Sequence, residues 1–393
     1  MAITDLKESG AWKPGAKSKR WQVDWLADDA VKGKVRRRKR FTTKAEAEDF
    51  QASTRQAMRS GSWVDPKLAD KMKVGKLALE WLERVKTVGA NGRRPVTPKT
   101  YDNYFRLYEN YIEPRWGVTR ISNVTYDATS EWIMTLRGMD GKPAGARTRE
   151  LVGKIFGRIM GYAVRKRLLP ANPAKDPTGR ADYIPDARPV KRHTYLTMKQ
   201  LAAIAHEAGD GGLMVMLAGT CGLRWGEVTA LTVANVRLGD KPMLAVTQAY
   251  SEVSGKLVLG ATKGGEDRQV PIPRLIADRL RGVIEGKPTT ARVFQSPRGT
   301  VLRNGNFTKN VYKPAIERAA AGDAEFPSPT FHDLRHTAVS LAISAGANVK
   351  VVQRIAGHAS ATLTLDTYAG LFDDDLHDSA SRLNDLLRGM DWR

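Results

Sequence analysis

The chain has 393 residues, of which 41% are hydrophobic and 27% charged, and these proportions exclude a disordered or membrane-embedded chain. The length predicts two or three domains. The 64 Lys and Arg residues outnumber the 42 Asp and Glu residues, so the net charge is +22. Such an excess indicates a polyanionic partner, either nucleic acid or an anionic membrane.

The apolar segments and the cysteine content of the sequence restrict the possible partners and ligands. No apolar run approaches the length of a membrane span, and the amino terminus lacks the apolar stretch of a signal peptide. We therefore expect a cytoplasmic protein that binds nucleic acid and no membrane. The single cysteine, Cys221, cannot form an internal disulfide and has no partner at zinc-ligand spacing, so we expect a small buried residue and no metal.

Residues 1–65 are predicted to form a small sheet plus one helix. Trp21, Val23 and Trp25 alternate as in a half-buried strand, and Thr43 with Glu46 forms a capping box that opens a helix. Between these signals lies a run of basic residues: Arg36, Arg37, Arg38, Lys39 and Arg40. We interpret this run as an arm that contacts DNA phosphates, with a solvated charged strand as the alternative.

Residues 72–175 are predicted to form a basic helical bundle. Apolar residues recur at helical spacing, for instance Leu77 and Trp81, and a later helix adds basic residues, among them Arg158 and Lys166, as candidate DNA contacts. One row of tyrosines is interpreted as core rather than as a ligand surface: Tyr101, Tyr104, Tyr108 and Tyr111.

Residues 176–193 are rich in Pro, Asp, Arg and Lys without a sustained period, which predicts an extended linker. The last domain, residues 194–393, is predicted to be mixed but mainly helical. Within it, residues 257–262 and 268–271 are expected to pair as a β-hairpin with Lys263 at its tip. The predicted fold class is therefore a multidomain, mainly α protein with small β-sheets.

Four separated segments of the last domain supply polar groups that a purely structural role does not require. They are an arginine in GLRWGE, the hairpin lysine, a His-x-x-Arg pair on a helix, and a Gly-His dipeptide with a tyrosine ten residues beyond its histidine. Each is common on its own, but together they supply six candidate catalytic residues: Arg224, Lys263, His332, Arg335, His358 and Tyr368. Arg268, on the returning strand of the predicted hairpin, is a further candidate DNA contact.

These residue types suit phosphodiester chemistry. Guanidinium groups stabilise the extra negative charge of a phosphate transition state, a role for Arg224 and Arg335 with help from His358. A tyrosine hydroxyl, with an ordinary pKa of about 10, must be activated, and His332 is the candidate base. Lys263, on a hairpin tip, is the candidate donor of a proton to the departing sugar oxygen.

In these motifs and in their order, residues 196–371 resemble the tyrosine recombinases, and within them the bacteriophage integrases. The resemblance implies that Tyr368 attacks a phosphate, forms a 3′-phosphotyrosyl bond and frees a 5′-hydroxyl, without ATP, metal or another cofactor. It also implies a homotetramer on double-stranded DNA. Residues 1–65 and 72–175 are more loosely similar to an arm-binding domain and a SAM-like core-binding domain, which implies arm-type and core-type attachment sites as partners.

The function predicted from this resemblance is the integration or excision of a phage or mobile-element genome in the host bacterial cytoplasm. A host DNA-bending protein and a directionality factor are candidate further partners. A type IB-like topoisomerase and a non-catalytic DNA-binding regulator are the alternatives. The arm-like segment argues against the topoisomerase, and retention of all six reactive groups argues against the regulator.

The sequence after the candidate nucleophile predicts a terminal helix. Its apolar stripe consists of four residues: Leu376, Ala380, Leu383 and Leu387. Two interpretations are open, since this helix can pack on a neighbouring protomer or on its own domain.

Overall fold

The structure, a computed structural model, divides into two compact units, Met1–Pro189 and Val190–Arg393. Lys263 and most of the predicted terminal helix lie outside the residues that it describes. Those residues are 1–13, 19–29, 33–60, 63–89, 94–185, 194–262, 264–265, 267–358, 360–368 and 387–388. Within these ranges, no helix combines the length and the apolar character needed to cross a membrane.

The first unit begins with an antiparallel sheet in the order β1-β2-β3. Its strands are β1 (Ala2–Asp5), β2 (Trp21–Asp29) and β3 (Gly33–Phe41). The predicted strand is confirmed in β2, and the predicted capping box of Thr43 and Glu46 opens α1 (Lys44–Arg59). Alternate residues of β2, including Val23 and Trp25, pack in a small core with α1. The basic run forms β3.

Helices fill the remainder of the first unit. They are α2 (Pro66–Lys71), α3 (Val74–Thr87), α4 (Pro98–Leu107), α5 (Glu113–Trp116), α6 (Tyr126–Met134) and α7 (Ala146–Arg165). Their core holds Trp81, Trp116 and Phe156, and the predicted tyrosine row packs in or against it. A π turn joins α4 to α5 just before Pro114, because a proline lacks the N–H and its ring obstructs the regular helical bond.

The second unit is mainly helical, which confirms the predicted fold class. Its helices are α8 (Met198–Glu207), α9 (Gly212–Cys221), α10 (Trp225–Ala230), α11 (Arg274–Ile284), α12 (Asn304–Phe307), α13 (Lys313–Ala319), α14 (Asp333–Ser344), α15 (Val349–Ala356) and α16 (Ala361–Tyr368). The Thr-x-x-Gln spacing of Thr197 and Gln200 predicts a capping box, and this capping box opens α8. Helices α9 and α14 contact each other at the centre of the unit, where Leu217 and Leu334 are fully buried. Cys221 is buried, as predicted.

The second unit contains two small sheets. The first has the order β4-β5-β8 and the second pairs β6 with β7. The strands are β4 (Val236–Arg237), β5 (Met243–Val246), β6 (Gln248–Val253), β7 (Lys256–Ala261) and β8 (Arg268–Pro271).

The predicted hairpin between residues 257–262 and 268–271 is wrong. Strand β7 pairs with β6 through a two-residue turn, and β8 pairs with β5. Both turn residues, Ser254 and Gly255, have positive φ, which suits the right-handed twist of a hairpin. The glycines after β7 therefore belong to a connection between two sheets, and the segment of Lys263 lies within that connection.

Candidate active site

Arg224 lies at the junction of α9 and α10, and the motif GLRWGE explains the junction. Gly222 ends α9 in the left-handed conformation, with φ of 66°, which glycine adopts without strain. Leu223 is buried, and Arg224 then directly precedes α10. A Cβ on Gly226 would lie 2.1 Å from the carbonyl oxygen of Tyr250, so glycine is required for β6 to pack this closely.

Glu227 is a buried carboxylate that organises two arginines, and it is not among the site residues predicted from the sequence. It accepts hydrogen bonds from the backbone N–H of Arg224 (2.8 Å) and from its Nη1 (2.9 Å). Arg268 donates two more, Nη1 to Oε1 at 2.9 Å and Nη2 to Oε2 at 2.7 Å. Burial alone would raise the pKa of Glu227, but Arg268 and then Arg224 lower it to about 2, so the carboxylate is charged at neutral pH.

The spacing of His332 and Arg335 in the sequence predicts that both lie on the helix face away from its apolar stripe, but Arg335 is only 2% exposed. That expectation is wrong because α14 is buried on most faces of its first two turns, where a single apolar stripe gives no guide. Nη1 donates to the carbonyl oxygen of Gly222 (2.7 Å), whereas Nη2 is buried without a hydrogen-bond partner among the described residues. Burial, and then the charge of Arg224, lowers the pKa of Arg335 to about 9.

Tyr368 is the last residue of α16 and is 1% exposed. Its hydroxyl lies 2.7 Å from Nδ1 of His336, and its ring is stacked with that of His358, at 12° and a centroid distance of 6.1 Å. Burial raises the pKa of Tyr368 to about 12, while the charges of Arg335 and Arg224 act in the opposite direction. Both guanidinium groups therefore act on this hydroxyl.

His358 follows Gly357, which ends α15 in the left-handed conformation with φ of 57°. The imidazole Nδ1 lies 2.8 Å from Oγ1 of Thr364, so the ring is held from α16. Burial is the main cause that lowers the pKa of His358 to about 4, followed by the charges of Arg335, Arg224 and Arg268. Three guanidinium groups thus converge on one imidazole, which is neutral at pH 7.

The hydroxyl partner of Tyr368 is His336 and not His332, the base proposed from the sequence. His332 is exposed and directly precedes α14, with its ring centroid 5.2 Å from that of His336 one helical turn later. The four-residue spacing of the two histidines was the signal for a second site residue. Lys263 lies outside the described residues, and the end of β7 at Ala261 is the nearest described strand position.

The five predicted DNA contacts in β3 divide between the two faces of the sheet. Arg36, Arg38 and Arg40 alternate onto one face and are exposed. Arg37 and Lys39 share the other face. The Arg37 Nε donates to the buried Asp65 carboxylate at 2.6 Å, and the Lys39 ammonium lies 4.6 Å from the centroid of the Phe50 ring. Arg37 is therefore engaged inside the fold, contrary to its assignment to an open arm.

The other three predicted DNA contacts lie in different surroundings. Arg158 is exposed and donates a hydrogen bond to the hydroxyl of Tyr104 (2.8 Å), while Lys166 forms an ion pair with Glu80. Both lie on the bundle surface. Arg268 instead lies in the cluster around Glu227, with a side chain only 10% exposed. The described residues contain no group of three or more His, Cys, Asp or Glu side chains arranged to hold a metal ion.

Comparisons with known proteins agree with this geometry. The chain is 26% identical over 328 residues to tyrosine recombinase XerD of Corynebacterium glutamicum, and the match covers 78% of this chain and 97% of that protein. Tyrosine recombinase XerC of Mycobacterium leprae is 26% identical, with 71% of this chain and 90% of that protein covered. The chain is therefore similar to the tyrosine recombinases over most of its length.

The second unit carries the family signature, because residues 194–374 match the phage integrase family. Among solved structures, the Tn1549 transposon integrase bound to transposon right end DNA has a TM-score of 0.63 at 18% identity, over 80% of this chain and 100% of that one. A lambda integrase dimer bound to a core site has a TM-score of 0.51 at 18% identity, over 94% of each chain. At such low identity these likenesses show a shared fold.

Proposed function

We propose that this chain is a site-specific recombinase that cuts and rejoins DNA through a covalent bond to Tyr368, and so integrates or excises a phage or mobile-element genome. The observation that carries the proposal is that two guanidinium groups, those of Arg224 and Arg335, act on one tyrosine hydroxyl. One of them, Arg335, has a buried Nη2 with no described hydrogen-bond partner. A phosphate oxygen supplies both the missing acceptor and the missing negative charge.

In the proposed reaction, the Tyr368 oxygen attacks the phosphorus and the bond from phosphorus to the 5′ oxygen breaks. A 3′-phosphotyrosyl ester and a free 5′-hydroxyl result. Arg224 and Arg335 stabilise the charge on the equatorial oxygens, and His358 donates a further hydrogen bond. The 5′-hydroxyl of a partner strand then attacks the ester and releases Tyr368. Because the ester conserves the bond energy, the exchange needs no ATP.

Two proton transfers accompany the first step. With its pKa at about 12, the Tyr368 hydroxyl must pass its proton to a base. The 2.7 Å contact favours His336, in the tautomer whose Nδ1 accepts, over His332 for that role. His332 is then assigned a hydrogen bond to the phosphate. Lys263 is proposed to give a proton to the departing 5′ oxygen.

The buried position of Tyr368 adds one requirement to this scheme. A side chain that is 1% exposed cannot reach a phosphate of a DNA duplex. Helix α16 must therefore move when DNA binds. The stacking on His358 and the contact with His336 hold the tyrosine until that movement.

The DNA partners are proposed from charge and from the relatives. The net charge of +22 favours a polyanion, and the Tn1549 and lambda integrases in the matched structures are bound to transposon end DNA and to a core site. We assign arm-type sites to the exposed face of β3, with Arg36, Arg38 and Arg40. Core-type sites are assigned to the bundle surface with Arg158 and Lys166. Exchange of four strands requires four active sites, hence a homotetramer, working in the bacterial cytoplasm.

The test is covalent trapping. A nicked duplex, selected from a randomised pool on the wild-type protein, is incubated with the enzyme and resolved on a denaturing gel. We expect a protein–DNA adduct that Tyr368→Phe abolishes. Tyr195→Phe is the matched control, since its ring lies 6.4 Å from that of Tyr368 in the same small core, and it should retain the adduct.

The other outcomes of this experiment are equally informative. A DNA mobility shift without an adduct would identify a regulator. An adduct accompanied by relaxation of supercoiled DNA, with no exchange between two marked duplexes, would identify a topoisomerase. Either result contradicts the proposed function.

A further inference from the structure

We propose that Arg268 is a positioning residue that fixes the segment of Arg224 against the segment of His358, and that it is not a DNA contact. The inference rests on the proposed function for its effect on strand cleavage. The contacts from which the inference is argued do not depend on that function, because they all join described residues.

Arg268 contacts the segment of Arg224 at the carboxylate of Glu227. Arg268 donates to both oxygens, at 2.9 and 2.7 Å, while Arg224 binds the same carboxylate through its backbone N–H and Nη1. A guanidinium fork fixes a carboxylate in direction as well as in distance. Arg268 therefore determines the orientation of the group to which Arg224 is bound.

Arg268 contacts the segment of His358 at the carboxyl end of α15. The Nε of Arg268 donates to the carbonyl oxygen of Ile355 at 3.3 Å. A Cβ built on Gly357 would lie 2.9 Å from Cδ of Arg268 and 3.1 Å from its Nε, so the arginine occupies the space that the glycine leaves. His358 follows immediately. The Gly-His dipeptide is thus needed both for the helix end and for contact with this arginine.

Arg268 also occupies a fixed position at the start of a strand. It is the first residue of β8, where it pairs in register with Val246 of β5, and its side chain makes three hydrogen bonds. Two separate segments with catalytic roles in the proposed function, those of Arg224 and His358, therefore meet at one guanidinium group of a third element, β8. The Arg268 side chain is only 10% exposed, and its donors are already used in these hydrogen bonds. Little of its guanidinium group therefore remains for a phosphate.

The test uses the full chain with Arg268→Lys and Arg268→Gln. Arg281→Gln is the matched control, since this arginine of the same unit is 57% exposed in a surface pair with Asp278. Lysine keeps the charge beside Glu227 but lacks the fork, so Arg268→Lys tests positioning even if Arg268→Gln fails to fold. Thermal melting establishes which variants fold.

For Arg268→Lys we expect adduct formation at saturating selected duplex to slow about 100-fold, the effect of misplacing reacting groups by about 1 Å. Affinity for a random-sequence duplex, and its dependence on salt, should match the Arg281→Gln control. A phosphate contact predicts the reverse: an unchanged rate at saturation and a salt slope smaller by about 0.9. That result would overturn the proposal.

A second measurement needs no cleavage. In Arg268→Gln, or in Arg268→Met if glutamine does not fold, the NMR titration of the His358 ring should move upward from about 4, because one of the three charges that lower its pKa is removed. An unchanged titration would show that Arg268 does not face His358 and would contradict the inference. If the wild-type protein forms no adduct, the proposed function fails, while the salt slope and this titration still decide the role of Arg268.

Discussion

Two arginine-rich regions of the molecule look alike in composition and differ in structure. On the outer face of β3 the charges are solvated, as for Arg36, whose side chain is 76% exposed beside Asp24. In the second unit, Arg224 and Arg268 both pair with the buried carboxylate of Glu227, and Arg335 is only 2% exposed. Exposed charges act through a screened, diffuse field, whereas buried ones act at fixed positions. In the proposed function, burial therefore decides which arginines attract DNA and which act on one phosphate.

The largest effect should come from the buried group. Arg335→Gln is expected to slow adduct formation by about 10²- to 10³-fold, the cost of losing one preorganised donor at a developing negative charge. Single-turnover trapping at saturating duplex measures this rate. Arg38→Gln, on the exposed face of β3, should leave it unchanged. Equal losses in both variants would remove the distinction between the two regions.

His336→Asn is expected to slow the same step by about 10²-fold, because the Tyr368 hydroxyl loses its hydrogen-bonded base. His206→Asn is a suitable control, since this histidine is exposed at the end of α8. A loss in His332→Asn with none in His336→Asn would restore the base proposed from the sequence.

Within β3, the neighbouring residues Arg37 and Arg38 should differ in their effects on stability and on DNA binding. Arg37→Gln is expected to lower the free energy of unfolding by about 2 kcal/mol, because the buried Asp65 loses its charged donor. Arg38→Gln should change stability by less than about 0.5 kcal/mol but reduce the salt dependence of DNA binding by about 0.9. Urea unfolding and binding titrations at several salt concentrations measure these quantities. A stability loss in Arg38→Gln as large as that in Arg37→Gln would contradict the division.

The last prediction concerns stability in acid. The pKa of His358 is about 4 in the fold and about 6.5 when unfolded, so below pH 6.5 the unfolded chain binds the proton first. Its contribution is complete above pH 6.5 and is lost as the pH falls towards 4. His358→Asn should therefore flatten the fall in urea midpoint between these values. A parallel fall in wild type and variant would show that His358 makes no such contribution.

The sequence anticipated features that depend on neighbouring residues. The capping boxes at Thr43 and Thr197 and the strand through Trp25 are confirmed, because each signal lies within one turn or a few strand residues. The predicted burial of Cys221 is also confirmed. The six catalytic assignments remain predictions, and they required the order of motifs along the chain as well as their residue types.

Only the tertiary structure decided how distant segments meet. Arg335 donates to a carbonyl 113 residues away, Arg268 binds a carboxylate 41 residues away, and the Tyr368 hydroxyl meets a histidine 32 residues away. The pairing of β8 with β5 and the burial of Arg335 belong to the same class. Local propensity depends on backbone contacts within a few residues, whereas these arrangements follow from packing of the whole core, which buries some charges and leaves others in water.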